Sequence, residues 1–295
     1  MTEFRFGFSG NAFSGIGELV DVAVRAERAG FDLITVADLP GGLSPLVALA
    51  AVAQATETIR VGPFVLNTGI WNPLTVVRDL ATLDRVSGGR LEIALGSGIP
   101  LAPVRELMPP TRDGRFEALR TSLAAVKSSF AEPGITPGYA SPPRLLVAGT
   151  SDRVLRLAAE EADGFIIGGV PPVPKVTLPP GHLVLPERGP TEEYLERLRG
   201  YVGERADSFE VGIGCLVVLT DDLEASTAEY AAIHSYLAPE EVGASPKIVI
   251  GDVASVADQM LERGRNLGIT FHNLRGATPE ELKPVIDQVM AGVGR

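Results

Sequence analysis

The side chains that could move a proton near neutral pH are few in this 295-residue chain, and the histidines number only three. His272 follows Ile269-Thr270-Phe271 in a predicted strand, and its near-physiological titration would let it act as a general acid. A lone strand histidine is more often a packed or surface residue. No spacing among His182, His234 and His272 matches a metal site. By strand counting, Asn11, Asp38, His272 and Arg275 all fall at the ends of predicted strands. Backbone supplies the other candidates. Gly96-Ser97-Gly98 closes a short apolar strand, and residues without bulky Cβ groups let a ligand approach the main chain. Gly149-Thr150-Ser151-Asp152 enters a helix, where free N–H groups and the Ser151 hydroxyl could hold a phosphate; Ser151 or Asp152 could equally be an N-cap. Gly168-Gly169 ends a further strand at which a phosphate tail could pass.

These residues need elements to position them, and the apolar period alternates between strand and helix throughout. Predicted strands cover Phe4–Phe8, Leu33–Ala37, Ile59–Leu66, Leu91–Leu95, Arg144–Ala148, Gly164–Ile167, Phe209–Leu219 and Ile269–Asn273. Predicted helices cover Gly15–Ala29, Pro45–Glu57, Pro73–Val86, Arg115–Phe130, Ser151–Ala162, Thr191–Ala206, Leu223–Leu237, Val253–Leu267 and Pro279–Met290. Alternation implies parallel pairing with right-handed crossovers, and eight strand–helix units close most economically into a (β/α)8 TIM barrel of the α/β class. The expected organisation is a single domain, 1–295, with proline-rich excursions near 99–114 and 170–190. An open doubly wound sheet would carry a phosphate fingerprint after its first strand, and Ser9-Gly10-Asn11-Ala12-Phe13-Ser14-Gly15 lacks it.

Composition narrows the partners. Hydrophobic residues make up 45% and charged residues 21%, enough for a large core. The net charge of -11 disfavours a nucleic-acid partner, which needs clustered Lys and Arg. No apolar run reaches the ~18 residues that span a bilayer, and the N-terminus has no signal-peptide pattern, so a cytoplasmic protein without a membrane partner is expected. The single Cys215 lies in the apolar run Val211–Leu219 and reads as a small hydrophobe. A serine-hydrolase elbow fails at Gly7-Phe8-Ser9-Gly10-Asn11, whose second glycine comes one residue early, and no Walker motif occurs.

An ordered series of fragments carries a family resemblance. Glu27-Arg28-Ala29-Gly30-Phe31-Asp32, Ala37-Asp38, Thr58-Ile59-Arg60-Val61-Gly62, Asn72-Pro73 and Ala81 through Glu92 are followed by Pro142 through Gly149, Leu157 through Gly164 and Gly251 through Ile269. In that order the chain resembles the bacterial-luciferase-like flavin and deazaflavin oxidoreductases. The resemblance implies a TIM barrel, usually a homodimer, with the cofactor ring across the C-terminal ends of the strands. The Ala/Gly/Val/Arg-rich composition is similar to the actinobacterial branch, which implies coenzyme F420 as cofactor, with FMN as the alternative.

The resemblance also assigns roles. Asp38 would contact the ring or substrate, or else cap the following loop; the histidine that pairs with it in the family is here Leu39. Val65-Leu66-Asn67-Thr68-Gly69 matches the family's backbone bulge against the ring, sometimes built with a cis non-prolyl peptide, and makes Asn67 and Thr68 cofactor contacts or turn formers. Gly96, Ser97 and Gly98 match the loop that meets the cofactor's side chain, with a plain turn as the alternative. A family carboxylate after this loop is replaced by Ile99-Pro100, which disfavours sugar-phosphate oxidation. Trp71, Phe13 and Tyr139 could wall a pocket. The expected activity is hydride transfer from reduced F420 to a C=C or C=N bond of a small-molecule or peptidic natural product. The alternatives are an FMNH2-dependent monooxygenase and a redox-silent binding barrel.

Overall fold

Strands and helices alternate along the chain as the periodicity predicts. In order they are β1 (Arg5–Ser9), α1 (Ile16–Ala29), β2 (Leu33–Val36), α2 (Pro45–Ala55), β3 (Arg60–Pro63), β4 (Leu66–Asn67), α3 (Pro73–Ser87), β5 (Glu92–Gly96), α4 (Arg112–Ala131) and β6 (Arg144–Gly149). There follow α5 (Asp152–Glu161), β7 (Gly164–Ile167), α6 (Arg188–Val202) with a 3₁₀ turn (Gly203–Arg205), and β8 (Glu210–Leu219). The chain ends with α7 (Leu223–Ile233), α8 (Pro239–Ala244), β9 (Ile248–Gly251), α9 (Val253–Leu267), β10 (Phe271–Arg275) and α10 (Pro279–Val293). The computed structural model describes residues 4–10, 13, 15–101, 104–131, 138–168, 176, 178 and 184–293. Contacts gather them into two units, residues 9–149 and residues 1–8 with 150–295. Among the described residues no helix is long and apolar enough to cross a membrane.

In the unit of residues 9–149 the strands are parallel and neighbours in sequence are neighbours in space. β2 pairs with β3 (Leu33↔Arg60), Val61 bridges to Leu91, β4 pairs with β5 (Leu66↔Leu95), and β5 pairs with β6 (Glu92↔Arg144). The helices turn one apolar face to these strands: Leu19, Val22, Ala23 and Ala26 of α1 are buried at the helical repeat. Asn72 caps α3 by accepting from the Leu74 and Thr75 amides, and Pro73 opens it. Gly88, left-handed at φ 67°, closes it and Gly89 continues the turn into β5. The segment expected as one strand over Ile59–Leu66 is two, β3 and β4, and the peptide between Phe64 and Val65 is cis.

The family-like fragments of this unit are largely structural. Glu27 Oε1 accepts from the amides of Glu57, Thr58 and Ile59 and from the Thr58 hydroxyl. Arg90 donates to the carbonyls of Ala53, Thr56, Ile59 and Ser87. One loop thus has its N–H groups taken by a carboxylate and its C=O groups by a guanidinium. Partial burial of Glu27 raises its pKa, but the three amides and the Thr58 hydroxyl outweigh it and hold the carboxyl below its ordinary range. Its folded pKa is therefore depressed, so its stabilisation is present above the unfolded carboxyl range and is lost as pH falls through the folded value. Glu27→Ala is expected to cost about 2 kcal/mol in urea unfolding at pH 7, with the gap closing toward pH 3.

In the other unit β7 and β10 flank β8 (Ile166↔Gly212, Phe271↔Gly212), β1 pairs with β10 (Phe6↔His272), and β9 pairs with the upper part of β8 (Leu216↔Ile248), all parallel. β7 covers Glu210–Ile213 and β9 covers Leu216–Leu219, and β10 overlaps both. β7 and β9 therefore occupy the same edge of β8 in succession. Lys247 joins them, its buried ammonium donating to the Gly168 carbonyl at 2.7 Å.

Several boundaries differ from expectation here. Strand β9 and helix α8 are additional to the eight units counted, because Ile248–Gly251 is too short to stand out by period. Helix α6 begins at Arg188, inside the excursion expected to run to residue 190, with Pro190 in its first turn where no helical donor is needed. Strand β10 begins at Phe271, since the Ile269 amide is still taken by Arg263 O of α9.

Candidate active site

The ends of β2, β4 and β5 in the unit of residues 9–149 converge on one hydrogen-bonded knot. Asp38, just beyond β2, accepts with a single oxygen from the Asn67 amide at 3.0 Å and from Trp71 Nε1 at 2.6 Å. It therefore fixes both the end of β4 and the ring that follows it. Thr68 is buried and donates through its amide (2.9 Å) and its hydroxyl (3.0 Å) to the carbonyl of Gly96 at the end of β5. The Asn67 side-chain oxygen accepts from the Gly69 amide at 3.0 Å. Its amide nitrogen meets only Met108 Sδ, at 3.9 Å, a weak acceptor.

The glycines of this region are required by the protein's own packing. Gly98 is left-handed at φ 72°, and a Cβ there would stand 1.8 Å from Asn67 Oδ1. A Cβ at Gly96 would meet Val65 at 2.7 Å, and one at Gly69 would meet Met108 at 2.8 Å. Five of the expected residues (Asp38, Asn67, Thr68, Gly96 and Gly98) are thus brought together, and Ser97 belongs with them through its carbonyl beside Gly69. Two groups in the knot offer donors with no strong protein acceptor among the described residues: the buried Asn67 amide and the half-buried Ser97 hydroxyl. Such donors suit the carbonyl oxygens of a planar heteroaromatic ring. Met108 and the Trp71–Asp38 bond were not legible from sequence, because Met108 lies in a proline-rich stretch without period.

Of the phosphate-site candidates, Gly149 ends β6, while Thr150 and Ser151 are exposed. Ser151 occupies the N-cap of α5, yet its side chain makes no capping bond. Beside it, the Tyr201 hydroxyl and then Arg156 hold the Asp152 carboxyl below its ordinary range, which places a negative charge in the first turn. Gly168 gives its carbonyl to Lys247, whose burial pulls its pKa down to about 8. Gly169, Asn11 and His182 lie outside the described residues.

His272 is placed against its expected role as general acid. It is fully buried, stacked on Phe4 at 5.9 Å and on Phe6 at 6.2 Å, and neither ring nitrogen has a hydrogen-bond partner among the described residues. Burial first, and then Arg263, push its pKa down to about 3, so the ring is neutral at physiological pH and holds no imidazolium proton to deliver. The opposite face of β10 carries Phe271 and Asn273, which close on Gly7. Tyr139, expected at a pocket wall, packs edge-on against Phe130 of α4 with its hydroxyl on Val77 O. His234 is buried against its own helix, bonded to Tyr230 O. Cys215 is buried and its thiol is pushed up by burial, as expected of a packed residue. Among the described residues no three His, Cys, Asp or Glu side chains gather as metal ligands would.

Comparison with known proteins adds the following. A family model described as luciferase-like monooxygenase matches residues 1–178. An F420-dependent glucose-6-phosphate dehydrogenase of Kribbella flavida is 30% identical over 190 residues, which are 55% of this chain and 56% of the relative. One from Nocardia farcinica is 37% identical over 141 residues, 43% of this chain and 42% of the relative. The chain thus spans about half the length of these curated relatives. Among solved structures, the coenzyme F420-dependent tetrahydromethanopterin reductase of Methanopyrus kandleri superposes with a TM-score of 0.73 at 17% identity, covering 100% of both chains. That likeness shows the fold, the TIM barrel expected from the alternation of strands and helices.

Proposed function

Since the chain belongs to the luciferase-like monooxygenase family, we propose that it is a coenzyme F420-dependent oxidoreductase. In this reading it transfers hydride from the reduced deazaflavin to an electron-poor C=C or C=N bond of a secondary metabolite. The observation that carries the reading is the knot at the ends of β2, β4 and β5, where the Asn67 side-chain amide and the Ser97 hydroxyl remain available to a ring while Thr68, the Asn67 backbone amide and the Trp71 indole are committed. The F420 dependence of the dehydrogenases from Kribbella flavida and Nocardia farcinica supports the choice of cofactor.

Bound there, the reduced cofactor supplies the hydride. Asn67 and Ser97 would hold its ring carbonyls, and Gly98 would let the β5 loop lie close to it. Asp38 is a positioning residue: by fixing the Asn67 amide and the Trp71 indole with one oxygen, it sets the orientation of the β4 end. Such pre-set donors would fix the orientation of the ring before the hydride leaves it.

Trp71 is the single tryptophan of the chain and is bonded within the knot, so its emission reports on the site. Anaerobic titration with oxidised F420 is expected to quench it with a micromolar dissociation constant, and Asn67→Ala should weaken binding about tenfold, the cost of a hydrogen bond of roughly 1.4 kcal/mol. Saturation by FMN with no response to F420 would overturn the cofactor assignment. No response to either would overturn the redox reading altogether.

A further inference from the structure

Apolar side chains that face solvent border the knot. Leu39 is 50% exposed, Ile70 36%, Ile99 69%, Leu101 41% and Leu107 74%. Each lies within three residues of a member of the knot, and a hydrogen bond ties Ile70 to it. The Ile70 amide donates to Asn67 O, the Leu101 amide to Ile99 O, and Leu107 precedes Met108, which packs at Gly69 and Asn67. Single exposed leucines are ordinary, whereas five drawn from three strand-end loops around one site mark a surface for an apolar partner.

The charges nearby are dispersed. Asp38 accepts its two bonds from Asn67 and Trp71. Arg105 donates to Pro100 O and Arg115 to the carbonyls of Pro109 and Pro110, and Arg112 is exposed. A phosphoryl group needs convergent guanidinium or ammonium donors, and among the described residues Arg105 and Arg115 bond to different carbonyls and share no acceptor.

We infer that the molecule accepted beside the cofactor is uncharged and carries an extended aliphatic portion that lies on Leu39, Ile70, Ile99, Leu101 and Leu107. This substrate class rests on the cofactor reading above and separates the chain from a sugar-phosphate enzyme. Burial of one methylene contributes about 0.8 kcal/mol, which is about fourfold in affinity.

The test uses the full chain loaded with oxidised F420 and a series of straight-chain methyl ketones from butanone to decan-2-one, read through Trp71 emission. Affinity should rise about fourfold per methylene over the shorter members, with no response to glucose 6-phosphate. The double variant Ile99→Asp, Leu107→Asp should flatten the series and weaken the longest ketone about tenfold or more, with F420 affinity unchanged. Affinity independent of chain length, or tighter binding of glucose 6-phosphate than of any ketone, would overturn the inference. So would a drop in molecular mass of the double variant in solution, which would mean that a second copy covers these side chains. Failure of the cofactor reading is separate: F420 would not bind, and the same ketone series on cofactor-free protein would still decide the fate of the apolar surface.

Discussion

Alanine in place of Gly98 is expected to lower F420 affinity about tenfold or more and to destabilise the protein by about 2–3 kcal/mol. Two costs add. The backbone at Gly98 is left-handed, which an alanine adopts at a cost of roughly 1 kcal/mol. The new Cβ would also fall 1.8 Å from Asn67 Oδ1, so the Asn67 side chain must swing away and release the Gly69 amide. The same swing removes the donor proposed for the cofactor ring. Urea unfolding and the Trp71 titration read the two consequences separately. Adding Asn67→Ala to Gly98→Ala should recover the steric part and leave only the backbone cost, a non-additivity that a double-mutant cycle detects. Simple additivity of the two variants would mean that Asn67 does not set the glycine requirement.

His272→Phe is expected to stabilise the protein at acid pH and to do little above neutrality. In the folded chain the imidazole stays neutral down to about pH 3, whereas an unfolded histidine binds its proton near pH 6.5. Below pH 6.5 the unfolded state therefore binds more protons, and stability falls as pH drops from that value toward 3. At pH 5 the loss amounts to about 2 kcal/mol, and at pH 8 it vanishes. Phenylalanine keeps the stacking on Phe4 and Phe6 and has no group that titrates. Thermal melts from pH 5 to pH 8 should show a flatter profile for the variant, with the two proteins converging at the alkaline end. Parallel profiles would show that the ring titrates normally in the fold. Turnover at pH 7 should be retained, which distinguishes a packed ring from an acid catalyst.

These two residues also show how far sequence reading reaches. Gly98 was legible as part of a strand-end loop because glycine there breaks the apolar run of β5. Its reason was not: Asn67 is 31 positions away by number, and only the β4–β5 pairing brings it into contact. His272 was assigned to a strand end by counting, but period-two alternation cannot say which face of a strand buried on both sides looks toward the helices. Packing with Phe6 of β1 and with Phe4 just before it decided it. Strand β3 reads as one segment with β4, and the cis peptide between Phe64 and Val65 was to be expected from the family resemblance of this segment but from no residue type in it. The clasp of Glu27 and Arg90 lay in the family-like fragments, but spacing cannot distinguish residues kept for a loop's backbone from residues kept for a ligand.

The handover along β8 leaves room for variation in length. β7 pairs as far as Ile213 and β9 takes over at Leu216, so only Gly214 and Cys215 separate two partners on one edge. Neither partner's register depends on how much chain lies between Ile167 and Arg188, before α6 and β8 begin. Residues can be added to or removed from the intervening excursion while β8 stays in place, provided Lys247 still reaches the Gly168 carbonyl. For this architecture the stretch after β7 is therefore a place where descendants of one ancestor can diverge in length, and a natural point at which to graft a new loop in the laboratory.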